Sequence, residues 1–220
     1  YFAHPAFRSQ PCYPVLGGFG CYWGRCAYCS EFLSSCAQRR RFSPRSPERV
    51  LDDIRALAKT HGAKHFNIVI PALAPSWLRK FCDLVLADGL EVYFQGYLRA
   101  EGERRMPPEL FWKLKLAGAE MLSIGVETVA ERVLQAVNKG VSRVDIDYTL
   151  RMLGTVGIPA QINFICDLPP TDLKECRENH DFILSHLHLL NGPVIAFPFG
   201  LKWGTEMQKN PGKYDIRVLE

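Results

Sequence analysis

Six short runs rich in β-branched and aromatic residues alternate with stretches of helical period along most of this 220-residue chain. That alternation is what most narrows the fold. The strands expected are Val15–Phe19, Phe66–Ile70, Val92–Tyr97, Met121–Val126, Ala160–Cys166 and Val194–Phe197. Between them the spacing predicts helices over Pro47–Thr60, Pro75–Ala87, Pro107–Ala117, Ala130–Val137 continuing through Val144–Val156, and Thr171–Leu187. Proline and acid in Ser46-Pro47-Glu48 and Pro107-Pro108-Glu109 suit a first helical turn. Gly62, Gly89, Gly118 and Gly157 stand where helices should stop. Strands joined through helices pair in parallel, with right-handed crossovers. A closed eight-fold barrel typically takes ~250 residues, so six units predict an α/β fold, a partial (β/α)6 TIM-like barrel on a parallel sheet. We expect a single domain over 1–220, with a lead-in at 1–13, the barrel at 14–207 and a C-terminal extension at 208–220.

The cysteines then locate the chemistry. Three of the eight fall in nine residues, in Gly20-Cys21-Tyr22-Trp23-Gly24-Arg25-Cys26-Ala27-Tyr28-Cys29. The run follows the glycine-rich segment Pro14–Phe19, which reads as a strand ending in a loop. Three thiolates on one tight loop can hold a metal centre and leave a coordination position open, as catalytic centres require and structural ones do not. The other five, Cys12, Cys36, Cys82, Cys166 and Cys176, are scattered beside apolar residues and read as small hydrophobes or spare thiols. Thiolates reserved for metal fit a reducing, cytoplasmic location. With 27 basic and 23 acidic residues the net charge of +4 does not demand a nucleic-acid partner. No apolar run approaches the ~20 residues of a bilayer-crossing helix, so no membrane partner is expected. The chain starts at Tyr1 and reads as a fragment of a longer protein.

The cysteine spacing resembles the radical S-adenosylmethionine (radical SAM) superfamily, whose usual signature is C-x3-C-x2-C with an aromatic before the last cysteine. Tyr28 is that aromatic, and the first gap here holds four residues rather than three. The resemblance spans roughly 14–207. Leu122-Ser123-Ile124-Gly125-Val126-Glu127-Thr128 and Asn138-Lys139-Gly140 look like the family's fourth strand and the segment after it. Asp167-Leu168-Pro169-Pro170 resembles its G-L-P-G-E turn after strand five, and Trp203-Gly204-Thr205-Glu206 its G-T turn after strand six. The likeness is greatest to members with a cobalamin-binding domain upstream, including methyltransferases.

The resemblance implies a role for each matching residue. Cys21, Cys26 and Cys29 would ligate a 4Fe–4S cluster whose open iron chelates S-adenosylmethionine, with Tyr28 against the adenine. Glu127 would contact the ribose or methionine part, a placement also favoured because ligands of parallel α/β folds bind at the carboxyl ends of strands. Arg99 would meet the carboxylate as a bidentate partner. Gly17, Gly18 and Gly20 would permit close backbone approach around the cluster. The reaction would be reductive cleavage of S-adenosylmethionine to a 5′-deoxyadenosyl radical that abstracts hydrogen from a small-molecule or peptide substrate, with radical methyl transfer as one outcome. Flavodoxin or ferredoxin would be the electron donor, and cobalamin would arrive with an upstream domain. Strand two departs from the family, ending Ile70-Pro71-Ala72-Leu73-Ala74 without the usual polar motif for the methionine amino group. Thr171 and Asp167 stand where glutamate and glycine are usual.

Blander readings exist for each residue. The cysteine loop is also compatible with structural zinc completed by Cys36 or Cys12, in a module binding protein, or RNA through Arg39-Arg40-Arg41, Arg45 and Arg49. A catalytically silent relative is a further alternative. Glu127 is equally placed to cap the next helix, and Arg99 to be a solvated strand-end arginine. Trp23 either shields a cluster or serves the core. His186 and His188 lie two apart on a helix and make a poor metal pair.

Overall fold

The computed structural model describes residues 11–30 and 42–217. Among these, eight strands alternate with seven helices: β1 (Cys12–Leu16), β2 (Gly18–Phe19), β3 (Ser43–Pro44), α1 (Pro47–His61), β4 (His65–Val69), α2 (Pro75–Asp88), β5 (Tyr93–Arg99), α3 (Pro108–Leu116), β6 (Ala119–Glu127), α4 (Glu131–Ala136), α5 (Arg143–Val156), β7 (Ala160–Cys166), α6 (Leu173–Leu190), β8 (Val194–Pro198) and α7 (Glu206–Lys209), followed by a 3-10 turn at Pro211–Tyr214. Six strands form one sheet in the order β1-β4-β5-β6-β7-β8, every neighbouring pair parallel. Strands thus add in chain order, and β1 and β8 remain the two edges among the described residues. This is the expected α/β architecture, an open six-unit version of the TIM-like barrel. β2 and β3 form a separate antiparallel pair outside it.

The strands alternate buried and half-exposed positions instead of reading as continuous apolar runs. Outward residues Phe66, Ile68, Phe94, Leu122, Ile124 and Ile162 are buried under the helices, against Val50, Ile54, Leu78, Phe81, Phe111 and Leu150. Burying a side chain of this size contributes ~1.5–3 kcal/mol, so this layer carries most of the stability. Inward positions are polar and only partly buried: Asn67, Gln95, Gln161 and Asn163. A fully covered parallel sheet would bury both faces; here the inner face lines a cleft.

Caps set the helix boundaries. Ser46 accepts from the Arg49 amide to start α1, while Ser142–Asp145 and Asp172–Glu175 are capping boxes for α5 and α6. The helix expected to run from Ala130 through to Val156 is in fact two. Asn138 (φ 52°) and Gly140 (φ 71°) are left-handed, and Ser142 starts a new helix. A Cβ on Gly140 would lie 2.0 Å from Trp23 Cζ2, so the break is also where the cysteine loop packs. Gly18 serves differently from expectation: its Cβ would collide with Pro44 Cα at 2.6 Å, so it makes room for β3.

The turns after β7 and β8 have local explanations. Asp167 has φ 55°, which explains why glycine suits that turn and why aspartate is tolerated in it. Thr205 caps α7, accepting from the Gln208 amide at 3.3 Å. Met207 and Tyr214 join Ala27, Val133, Val137 and Leu168 in a small second core under the cysteine loop. No helix among the described residues is long and apolar enough to cross a membrane.

Candidate functional site

The cysteine loop leaves β2 at Gly20 and lies against the turn between α4 and α5. Two successive carbonyls of that turn receive the loop, and the next receives Arg99 from β5. The Ala27 amide donates to Val137 O at 2.8 Å, the Trp23 indole to Asn138 O at 2.8 Å, and Arg99 Nη2 to Lys139 O at 2.6 Å. From below, the Met207 amide donates to Ala27 O at 3.1 Å. Cys26 and Ala27 are thereby buried, while Cys21, Tyr28 and Cys29 stay partly open.

Two buried cations flank the loop. Arg99, at the end of β5, is only 6% exposed. Its Nη1 lies 4.0 Å from Cys26 Sγ, its Nε donates to Glu101 Oε1 at 3.3 Å, and its guanidinium covers the Trp23 and Tyr22 rings at 5.0 and 5.8 Å. It is not a solvated strand-end arginine. Burial opposes its charge, but Tyr22, Cys26, Glu101 and Cys21 together raise its pKa above the usual arginine value. Tyr22 donates to Glu101 at 2.7 Å, and burial first, then Glu101, holds its hydroxyl neutral. Lys139 is equally buried and donates to Tyr28 Oη at 3.1 Å and Glu127 Oε1 at 3.2 Å. Burial, then Glu127, Cys26 and Cys29, pushes the Tyr28 pKa well up, placing that ring among the thiols and the carboxylate.

Glu127 closes β6 in a left-handed conformation (φ 66°), where the β6–β7 register shifts. For a non-glycine residue this is an uncommon backbone state that turns the side chain out of the ladder. α4 begins at Ala130 with no side-chain cap, so Glu127 does not cap it; its carboxylate pairs with Lys139.

Beside these groups a cleft of about 600 Å³ opens at the carboxyl ends of the strands. It is lined by Tyr28, Cys29 and Glu127, by Gln161 and Asn163 of β7, and by Phe197, Phe199 and Lys202. A second cleft of about 500 Å³ shares Tyr97 and is lined by Leu16, Phe19, Val69, Ile70 and Pro71, the apolar end of strand two noted in the sequence.

The structure thus brings Cys21, Cys26, Cys29, Tyr28, Arg99 and Glu127 into one neighbourhood and adds Lys139, Glu101 and Tyr22, which sequence reasoning missed as site residues. Gln161 and Asn163 were missed too; two amides two apart in an otherwise apolar strand were a legible sign of a shared inward face. Arg45 pairs with Asp53 at 2.5 Å, and Arg39–Arg41 and Cys36 lie outside the described residues. His186 is buried against Asp147 and His188 is exposed, so they do face apart. Cys82 is buried, which pushes its thiol pKa to about 12. Cys12 and Cys166 are exposed rather than core residues.

Among the described residues no three His, Cys, Asp or Glu side chains gather around a point as one metal ion requires. A tetrahedral zinc needs its sulfurs on a common centre at ~2.3 Å, whereas a cube takes each cysteine on a different iron. Cys12 opens β1 and Cys21 follows its far end, with ~13 Å of strand between Cys12 and Leu16, so Cys12 does not complete a zinc site. Three cysteines on one loop, with two buried cations beside it, fit the donor set of an iron–sulfur cube.

An open parallel six-unit sheet with this loop beside its first strand is a fold shared with solved radical S-adenosylmethionine enzymes. The chain's fold matches the radical S-adenosylmethionine methyltransferase TsrM from Kitasatospora setae, solved with cobalamin and a [4Fe-4S] cluster bound, with a TM-score of 0.71 at 18% identity over 90% of this chain and 38% of that one. It also matches the cobalamin-dependent S-adenosylmethionine radical enzyme OxsB, solved with aqua-cobalamin and S-adenosylmethionine bound, with a TM-score of 0.67 at 23% identity over 92% and 29%. In sequence it is 26% identical to an anaerobic magnesium-protoporphyrin IX monomethyl ester cyclase of Synechocystis sp. over 74% of this chain and 32% of the relative. It is likewise 26% identical to the hopanoid C-3 methylase of Methylococcus capsulatus, over 91% and 38%. The chain therefore spans about a third of the length of these curated relatives. No family model matches it.

Proposed function

We propose that this chain is the core of a radical SAM enzyme acting on a small-molecule or peptide substrate, with radical methyl transfer as its outcome where an upstream cobalamin domain is present. The observation that carries this is the three-cysteine loop seated against α4 and α5 beside a cleft at the carboxyl ends of the strands. In this reading Cys21, Cys26 and Cys29 hold a 4Fe–4S cluster. When bound and reduced by a donor such as flavodoxin or ferredoxin, that cluster supplies the electron that cleaves S-adenosylmethionine to methionine and a 5′-deoxyadenosyl radical.

The chain's own residues do the rest. Tyr28 presents its ring to the adenine and stays neutral, because burial and the Glu127 carboxylate oppose its ionisation. Glu127 lines the cleft, where its carboxylate would meet the ribose or methionine part of the cofactor, and Lys139 holds it by a hydrogen bond. Arg99 is the cation of the site on the β5 side. Trp23 and Ala27, pinned to α4, keep water from Cys26. The carboxyl end of β4 supplies no polar group, so the methionine amino group relies on the open iron more than in relatives with the usual motif.

Anaerobic reconstitution tests the reading. We expect about four iron and four sulfide per chain, lost when Cys21, Cys26 and Cys29 are all replaced by Ala and retained in Cys82→Ala. Zinc in place of iron and sulfide, or full incorporation in the triple variant, would remove the proposal.

A further inference from the structure

Arg99 is a guanidinium that the loop encloses almost completely. Nη1 approaches Cys26 Sγ at 4.0 Å, Nη2 is tied to Lys139 O at 2.6 Å, and the Trp23 and Tyr22 ring centroids lie 5.0 and 5.8 Å from the group. Its carboxylate partner, Glu101, is buried beside it and shared among three donors. Glu101 also accepts from the Tyr22 hydroxyl at 2.7 Å and faces Arg105 at 3.4 Å, while Nε of Arg99 stands at 3.3 Å. The other nearby cation, Lys139, is paired with Glu127. Arg99 therefore directs an N–H and a buried positive charge at one cysteine sulfur.

We infer that Arg99 sets the reduction potential of the cluster through Cys26, as a positioning residue acting on a ligand and not on substrate. The inference rests on the cluster reading given above. Hydrogen bonds to the sulfurs and the net charge around a cluster are principal determinants of its potential, and charges act far more strongly in a buried, low-dielectric site than in water. One-electron reduction adds negative charge to the cluster without forming or breaking a bond in the protein. A cation held at Cys26 stabilises that added charge and raises the potential.

The test is an anaerobic redox titration of the intact reconstituted protein with dithionite, followed by electron paramagnetic resonance, on Arg99→Gln and Arg99→Lys. Gln removes the charge; Lys keeps it but loses the planar fork. At a fixed applied potential we expect the ratio of reduced to oxidised cluster to fall at least tenfold in Arg99→Gln, a shift of 59 mV for one electron, and to recover most of the way in Arg99→Lys. Iron and sulfide should stay at wild-type levels. Wild-type potentials in both cluster-loaded variants would overturn the inference, and loss of the cluster from both would overturn it by making Arg99 a mere support for the loop. Absence of iron and sulfide from the unsubstituted protein would overturn the cluster reading itself.

Discussion

Lys139 reaches Tyr28 and Glu127 from one buried ammonium group, tying the cysteine loop to the end of β6. The pair explains how Glu127 holds an uncommon left-handed backbone: its carboxylate has a fixed partner across the turn. Glu127→Gln should therefore do two things. A charge-assisted hydrogen bond is worth roughly 1.5–3 kcal/mol. Its loss to the cofactor should weaken S-adenosylmethionine binding about ten- to hundred-fold, with iron unchanged, as calorimetric titration would read. The uncompensated Lys139 should also lower stability to urea. Adding Lys139→Met should restore stability without restoring affinity. Wild-type affinity in a less stable protein would leave Glu127 with a structural role alone.

At the scale of elements, the turn between α4 and α5 is the rail on which the cysteine loop rides. The carbonyls of Val137, Asn138 and Lys139 would continue a helix if α4 ran on; instead they accept from Ala27, Trp23 and Arg99. Gly140 and Gly157 offer a controlled comparison. Both are left-handed, at φ 71° and 67°, so an alanine costs similar backbone strain, roughly 1–2 kcal/mol. Only at Gly140 does the added Cβ meet Trp23; at Gly157 the nearest group is Lys115 Nζ at 3.9 Å. Gly140→Ala should reduce iron incorporation as well as stability, and Gly157→Ala stability alone, as reconstitution beside urea denaturation would measure.

Among the described residues, burial of the sheet against the helices is supplemented by ion pairs that clip neighbouring elements together. One joins α5 to α6: Asp147 accepts from His186 at 2.6 Å and from Arg151 at 2.8 Å. Burial works to raise the Asp147 pKa, but these two donors outweigh it and leave it below 3.8. A carboxyl with a lowered folded pKa adds stability above its unfolded value, and that contribution disappears as pH falls through the folded one. Stability should thus drop below about pH 4, and Asp147→Asn should flatten that part of the profile. Urea midpoints between pH 6 and pH 3 would check it; an unchanged slope would count against the clip.

Local chemistry was enough to determine the alternation of strands and helices, most helix ends, and the cysteine loop with Tyr28. Side-chain period, prolines and capping residues act over a few positions, which is why Ala160–Cys166 is legible to the residue. The helix expected to continue from Ala130–Val137 through Val144–Val156 shows the limit: Asn138 and Gly140 turn left-handed and Ser142 caps a new helix, in the segment where the cysteine loop packs. Tertiary structure alone decided that Arg99, Glu101 and Lys139 are buried, that Lys139 meets Glu127 and Tyr28, and that amides from β4, β5 and β7 share one inward face. Those outcomes depend on which strands become neighbours and on how much water their enclosure removes. Tyr28 and Lys139 are 111 residues apart, and only the packing of the cysteine loop against the α4–α5 turn brings the tyrosine hydroxyl to the ammonium that holds it.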